Sequence, residues 1–153
     1  MSLFPFLSPA KQLLSKEESA QLAQLVKDTE MKSAGEIRIY IESHCPTMNP
    51  MLRARFIFEQ LHMHKTKARN GVLIYIAFAD HDFAILGDRG IFSLAPSDFW
   101  NKTAKTIAQH FYAGETLLGL STGITQIGEL LAQHFPPCPH DRNELPDEIV
   151  FGR

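Results

Sequence analysis

The clearest candidate chemistry in this sequence lies in four acidic residues at the ends of apolar segments: Asp80, Asp82, Asp88 and Glu36. Calcium and magnesium need several oxygen ligands at short range, and loop carboxylates with nearby carbonyls supply them. The alternative is a turn role, because aspartate favours turns by hydrogen bonding to its own backbone. The sequence therefore predicts a Ca²⁺ or Mg²⁺ site at these residues, with turn formation as the competing interpretation.

Asp88 has a particular setting within this group. It lies between Gly87 and Gly90, and glycines let a backbone approach a ligand closely. Its neighbour Arg89 is a candidate contact for phosphate, since a guanidinium can hold two phosphate oxygens at once. A purely structural role is the alternative, in which Asp88 caps a neighbouring helix or pairs with Arg89.

These residues suggest two functions. In a metal-assisted phosphatase, the ion would be held by Asp80, Asp82 and Asp88, and Arg89 would stabilise phosphate oxygens. In a binding module, the same loops would bind a cation without turnover. An aspartyl-phosphate enzyme is excluded, because Phe83 follows the Asp80-x-Asp82 pair and the chain turns straight back.

Other reactive residue types give weaker signals. Cys45 and Cys138 form no close cysteine pair, so no zinc ribbon or redox motif is present. His44 precedes Cys45, but adjacent strand residues point to opposite faces, which disfavours a catalytic dyad. For His64, a bond to the last carbonyls of a helix is preferred over a metal site.

Composition fits one globular domain. The chain has 153 residues, of which 44% are apolar and 21% charged, and its net charge is −2. This balance gives no sign of nucleic-acid binding, and the basic run Lys65, Lys67 and Arg69 is interpreted as a solvated loop. No apolar run approaches the roughly 18 residues that cross a bilayer. We expect a cytoplasmic protein without membrane insertion.

The elements that must position these residues follow the order α-β-α-β-β-α-α. Ser15 and Glu18 predict a capping box, and Asn49 with Pro50 predicts a second helix start. Period-two alternation over 36–43 indicates a strand with one buried face, and 72–87 indicates a hairpin whose first strand is buried on both faces.

The remaining elements complete a mixed sheet of three to four strands sandwiched between helices. Two more helices are predicted, one opening at Pro96 and one over 115–134, and a short extra strand is considered over 91–94. The predicted organisation is an N-terminal extension at 1–14, an α/β domain at 15–137, and an extended tail at 138–153 packed on or near the domain.

Seven segments, in this order, resemble the TPM domain family: SAGEIR at 33–38, MHKT at 63–66, RNGVLIY at 69–75, FAILGDRGI at 83–91, DFW at 98–100, HFP at 134–136 and NELPDEI at 143–149. The resemblance covers about residues 15–150, and the ending is similar to the stand-alone bacterial form. It departs at Ala34, where the family usually has a hydroxyl residue.

The resemblance implies a mixed sheet between helices. It also implies, for some relatives, divalent cation binding by acidic loops, weak phosphatase activity or partnership with membrane proteins. The favoured function is a non-enzymatic binding or accessory module, with cation dependence, and the alternative is a weak metal-assisted phosphatase acting on phosphate monoesters. A protein or membrane-protein partner is expected, with the segment 143–149 as a candidate contact.

Overall fold

A computed structural model describes residues 13–137 and 149–152 of the chain. The described elements, in chain order, are α1 (Lys16–Glu30), β1 (Glu36–Glu42), α2 (Pro50–Gln60), β2 (Gly71–Ala77), β3 (Asp82–Gly87), α3 (Arg89–Phe92), α4 (Phe99–Tyr112), α5 (Thr116–His134) and β4 (Val150–Phe151). A 3₁₀ turn, Phe78–Asp80, joins β2 to β3. The predicted mixed sheet flanked by helices is confirmed.

The four strands form one sheet in the order β3-β2-β1-β4. β1 pairs in parallel with both β2 and β4, and β2 pairs antiparallel with β3. Helix α2 provides the crossover that a parallel β1–β2 pair requires. The last pair is short, and it joins Val150 and Phe151 to Tyr40 and Ile41.

The helix starts predicted at Ser15 and at Asn49-Pro50 are confirmed, whereas the helix predicted to open at Pro96 begins at Phe99. The hydroxyl of Ser15 accepts from the Glu18 N–H, and the Glu18 carboxylate accepts from the Ser15 N–H, both at 3.0 Å. The side chain of Asn49 accepts from the second and third residues of α2, and Pro50 occupies the first helical position.

Helices cover the sheet unequally. One face carries isoleucines of β1 and β2 and packs against α1, α4 and α5 in the larger apolar core. The other face carries Leu73, Tyr75 and Ala84 and is covered by α2 through Ala54 and Phe58. The predicted site residues lie at the two ends of the strands: Glu36 and Asp88 at one end, and Asp80 and Asp82 at the other.

Two expectations about local structure are wrong. The extra strand considered over 91–94 is absent from the described sheet. Residues 89–92 form helix α3 instead, because Asp88 caps this helix by accepting a hydrogen bond from the Arg89 N–H at 2.7 Å. β1 does not have one solvent-facing side, because Glu36, Arg38 and Glu42 are all at least 95% buried. Its neighbours β2 and β4 and the α2 layer enclose them.

The predicted domain boundaries stay predictions. Of the extension at 1–14, only Leu13 and Leu14 are described, and Leu14 is buried in the larger core. Most of the tail, including Cys138 and the segment 143–148, lies outside the described residues. None of the described helices is long and apolar enough to span a bilayer.

Candidate functional site

The hairpin of β2 and β3 separates the predicted site residues into two groups. In its register, Val72 lies opposite Gly87 and Ala77 lies opposite Asp82. These two positions are five residues apart, which at about 3.4 Å per residue is roughly 17 Å. We call the two sides the Asp88 end and the Asp80 end. The structure therefore does not bring the four acidic residues into one site.

At the Asp88 end, Asp88 is held by Arg69. The Arg69 Nε donates to Oδ2 at 2.8 Å, and its Nη2 donates to Oδ1 at 3.1 Å. Asp88 is 7% exposed, so its carboxylate is shielded from water, whereas the side chain of Arg69 is 33% exposed. The hydrogen bond to Asp88 raises the pKa of the Arg69 guanidinium above its ordinary value. Asp88 thus caps a helix as expected, but its ionic partner is Arg69 rather than Arg89.

A cavity of about 310 Å³ opens beside this pair. It lies between the second half of α2, the segment before β2, and the start of α3. Three guanidinium groups and one imidazole line it, together with the carboxylates of Glu59 and Asp88; the basic residues are Arg55, His64, Arg69 and Arg89. We call this the anion cavity.

Two arginines of the cavity, Arg55 and Arg89, are exposed to solvent. Among the residues that the structure describes, neither Arg55 nor Arg89 forms an ion pair. His64 adds a buried ring atom, Nδ1, that has no hydrogen-bond partner within residues 13–137 and 149–152. An oxyanion entering the cavity would meet the exposed guanidinium groups of Arg55 and Arg89. The arrangement is therefore suited to a phosphate or a carboxylate.

Glu36 lies at the Asp88 end as well. It pairs with Gly71 in the β1–β2 register and is 3% exposed. The structure thus places Glu36 and Asp88 at the same end of the sheet, and it buries both.

The Asp80 end has a different chemistry. Asp80 Oδ1 lies 2.8 Å from His44 Nδ1, and Asp80 Oδ2 accepts from the Cys45 N–H at 2.6 Å. The contact with His44, followed by the bond from Cys45, lowers the pKa of Asp80 below its ordinary value. Asp80 therefore ties the chain after β1 to the hairpin turn, and both of its oxygens already have partners.

Asp82 is exposed beside this pair, at the first position of β3. Within the described part of the chain, no three histidine, cysteine, aspartate or glutamate side chains are grouped as a metal site. Whether Asp80 and Asp82 bind a cation with the help of carbonyl oxygens stays a prediction.

Sequence analysis missed the buried polar cluster under α2. Glu42 accepts from Arg53 Nε at 2.8 Å and Nη2 at 3.1 Å, and the Tyr75 hydroxyl donates to the same carboxylate. Burial, and then the bond to Glu42, raises the pKa of Tyr75. The alternation of β1 suggested that Glu42 faces solvent, so no local signal pointed to this cluster.

Most residues of the anion cavity were likewise not predicted from the sequence. The basic run was interpreted as solvated, which holds for Lys65 and Lys67, since both are exposed. Arg69, however, turns inward to Asp88 from a left-handed backbone conformation with φ 52°. Arg55 gave no signal, because its place in the cavity depends on how α2 packs.

The comparisons with known proteins agree with the fold. The TPM domain family matches residues 8–130. The chain is similar to the BA42 protein from the psychrophilic bacterium Bizionia argentinensis, known from an NMR structure. The two share 37% identity over 91% of this chain and 95% of BA42, with a TM-score of 0.83.

Two more distant structures share the fold alone. One is the N-terminal domain of a protein from P. gingivalis, at 17% identity, with 88% of this chain and 96% of that one covered and a TM-score of 0.65. The other is the N-terminal domain of cg2496 from Corynebacterium glutamicum, at 9% identity, with 86% of each chain covered and a TM-score of 0.61. Among curated proteins, none matches the chain.

Proposed function

The chain belongs to the TPM domain family, and we propose that it is a non-enzymatic binding module that captures an anionic group of its partner in the anion cavity. One observation carries the proposal. Arg55 and Arg89 line a cavity of about 310 Å³ without forming an ion pair among the described residues. A bound phosphate or carboxylate would supply the missing counter-charge.

The surroundings of the cavity support binding. Arg69 and Asp88 form its fixed wall, because each holds the other in a bidentate contact. Arg89 begins α3 directly after that wall, and Arg55 faces it from α2. Because the Arg69–Asp88 wall is fixed in advance, a ligand orders only the exposed side chains of Arg55 and Arg89 when it binds.

The proposal is tested by thermal unfolding in sodium phosphate against sodium chloride of equal ionic strength. A ligand that binds only the folded state raises its stability by RT ln(1 + [L]/Kd). Phosphate should therefore raise the Tm of the wild type, and the double variant Arg55→Gln/Arg89→Gln should abolish the increase. Lys105→Gln, which removes an exposed charge from α4, is the matched control and should leave the increase intact. An equal shift in all three proteins contradicts the proposal.

Cation binding is a separate proposal, located at the Asp80 end. Asp80 and Asp82 lie in one turn, and Asp82 is exposed to solvent. Calcium or magnesium at millimolar concentration should raise the Tm, and Asp82→Asn should remove the effect. Asp28→Asn, an exposed carboxylate on α1, is the control. If neither calcium nor magnesium changes the Tm of the wild type, this proposal is contradicted.

One observation supports the phosphatase alternative: Arg89 lines a cavity that is large enough for a phosphate. It would need an ion beside that phosphate, whereas Asp80 and Asp82 lie roughly 17 Å away at the other end of the hairpin. Asp88 already accepts from Arg69 and from the Arg89 N–H. Metal-dependent hydrolysis of an aryl phosphate that is lost in Arg89→Gln would favour this alternative over simple binding.

A further inference from the structure

The outer surface of α2 exposes apolar side chains. Leu52 is 54% exposed and Phe56 is 50% exposed, and Met48, just before the helix, is 91% exposed. Leu52 and Phe56 are four residues apart, so they lie on the same side of the helix. Large apolar side chains that cluster on a surface mark interaction sites more often than isolated ones do.

Leu52 and Phe56 line a shallow groove of about 470 Å³. Its other walls are Pro46 and Thr47 from the loop after β1, and Arg53, whose guanidinium lies 5.3 Å from the centre of the Phe56 ring. We call this the α2 groove. Because Arg53 is also fixed by Glu42, the Phe56 ring rests on a positioned cation.

The α2 groove and the anion cavity are neighbours. Arg55 and Glu59 line both of them, so the two spaces share part of their walls. A ligand that reaches across Arg55 would meet apolar carbon on one side and the guanidinium groups of Arg55 and Arg89 on the other.

We infer that the combined surface binds an extended acidic peptide segment of a protein partner, with an apolar side chain in the α2 groove and a carboxylate in the anion cavity. The inference rests on the proposed anion binding and names its partner class. Charge complementarity favours an acidic occupant, since Arg55 and Arg89, both exposed and without ion pairs among the described residues, outnumber Glu59, the carboxylate that lines both spaces.

Shape favours a peptide over a bilayer surface. Both spaces are concave, and their volumes of about 310 Å³ and 470 Å³ suit individual side chains. A flat layer of lipid headgroups could touch Leu52 and Phe56, whereas a peptide can place one side chain in each of the two adjoining spaces.

The test is fluorescence anisotropy with three fluorescein-labelled peptides. The first has the sequence Gly-Ser-Asp-Glu-Leu-Phe-Gly-Ser, the second replaces its acids by Asn-Gln, and the third replaces Leu-Phe by Ser-Ser. The full-length protein should bind the first peptide about tenfold more tightly than either of the others. The variant Leu52→Ser/Phe56→Ser should lose about tenfold for the first peptide and should bind the third as the wild type does, while its Tm increase with phosphate stays at the wild-type value.

Leu118→Ser on α5 is the matched control, because Leu118 is 49% exposed and belongs to the opposite layer. It should bind all three peptides as the wild type does. Equal affinity of the wild type for the three peptides overturns the inference, and so does an equal loss of affinity for the first peptide in Leu118→Ser. If phosphate still raises the Tm in that case, the proposed anion binding is retained. Tighter binding to phosphatidylcholine vesicles with about 30% phosphatidylglycerol than to the first peptide also overturns it, in favour of a lipid surface. Absence of both peptide and phosphate binding overturns the inference and the proposed function together.

Discussion

Arg69 and Asp88 are 19 positions apart in sequence and are joined by two side-chain hydrogen bonds, at 2.8 and 3.1 Å. The link connects the segment before β2 to the residue that caps α3. A backbone bond from the Gly90 N–H to the Arg69 carbonyl, at 2.8 Å, reinforces it. One wall of the anion cavity is therefore fixed by the fold itself.

Replacing Arg69 by methionine should lower the free energy of unfolding, because it leaves the buried carboxylate of Asp88 with the Arg89 N–H as its remaining donor. Urea unfolding measures the change. Lys67→Met is the control, since Lys67 is exposed in the same segment. Equal stability of the two variants would show that the Arg69–Asp88 pair contributes nothing.

Gly90→Ala should destabilise the protein by about 2 kcal/mol or more, through overpacking. A Cβ atom at this position would lie 2.0 Å from the Ala68 carbonyl oxygen and 2.5 Å from that of Arg69, both of which are backbone atoms. In contrast, Gly114→Ala meets nothing within 4 Å and is strained only by its φ of +78°. It should cost about 1 kcal/mol. The prediction fails if chemical denaturation ranks Gly114→Ala as the more damaging change.

Arg53→Met should cost about 3 kcal/mol, because it leaves the carboxylate of Glu42 buried without its ionic partner. In the wild type the side chains of Arg53 and Glu42 are 17% and 4% exposed. Arg55→Met changes the same residue type two positions along α2, where no ion pair is lost among the described residues. Its unfolding free energy should stay within about 0.5 kcal/mol of the wild type. Similar losses in both variants would contradict the assigned role of Glu42.

Asp80 should make stability depend on pH in the acid range. Its pKa is lower in the folded state than the ordinary value of 3.8, so its interactions stabilise the fold above that pH and are lost as the pH falls through the folded pKa. The stability difference between wild type and Asp80→Asn should therefore shrink as the pH is lowered from about 6 to about 3. Asp82→Asn is the comparison at the same turn. A difference that stays constant over this range would exclude the proposed linkage.

Much of the fold could be predicted because its signals are local. The capping box at Ser15, the Asn49-Pro50 start of α2 and the apolar run of β2 each act within a few residues. The conformation of residues 89–92 was missed because a four-residue helix has no measurable periodicity. Its cap, Asp88, is also held in place by the distant Arg69.

The candidate site was less predictable, because it depends on pairings across the sheet. Sequence placed Asp80, Asp82 and Asp88 near one hairpin, which is correct, but strand register puts them at opposite ends. The contact between Glu42 and Arg53 could not be predicted for the same reason, since only the packing of α2 on β1 brings the two side chains together. Turn and strand patterns in a sequence indicate where an element ends. They do not indicate which residues of other elements contact the residues at that end.

The most direct test of the anion cavity is a titration of the ¹⁵N-labelled protein with sodium phosphate, followed by amide chemical shifts at constant ionic strength. The account predicts saturable shifts at residues 55–59, 64–69 and 87–90, and their loss in Arg55→Gln/Arg89→Gln. Amides of 80–82, at the other end of the hairpin, should stay unchanged. Shifts that appear first at 80–82, or that persist in the double variant, would contradict the account.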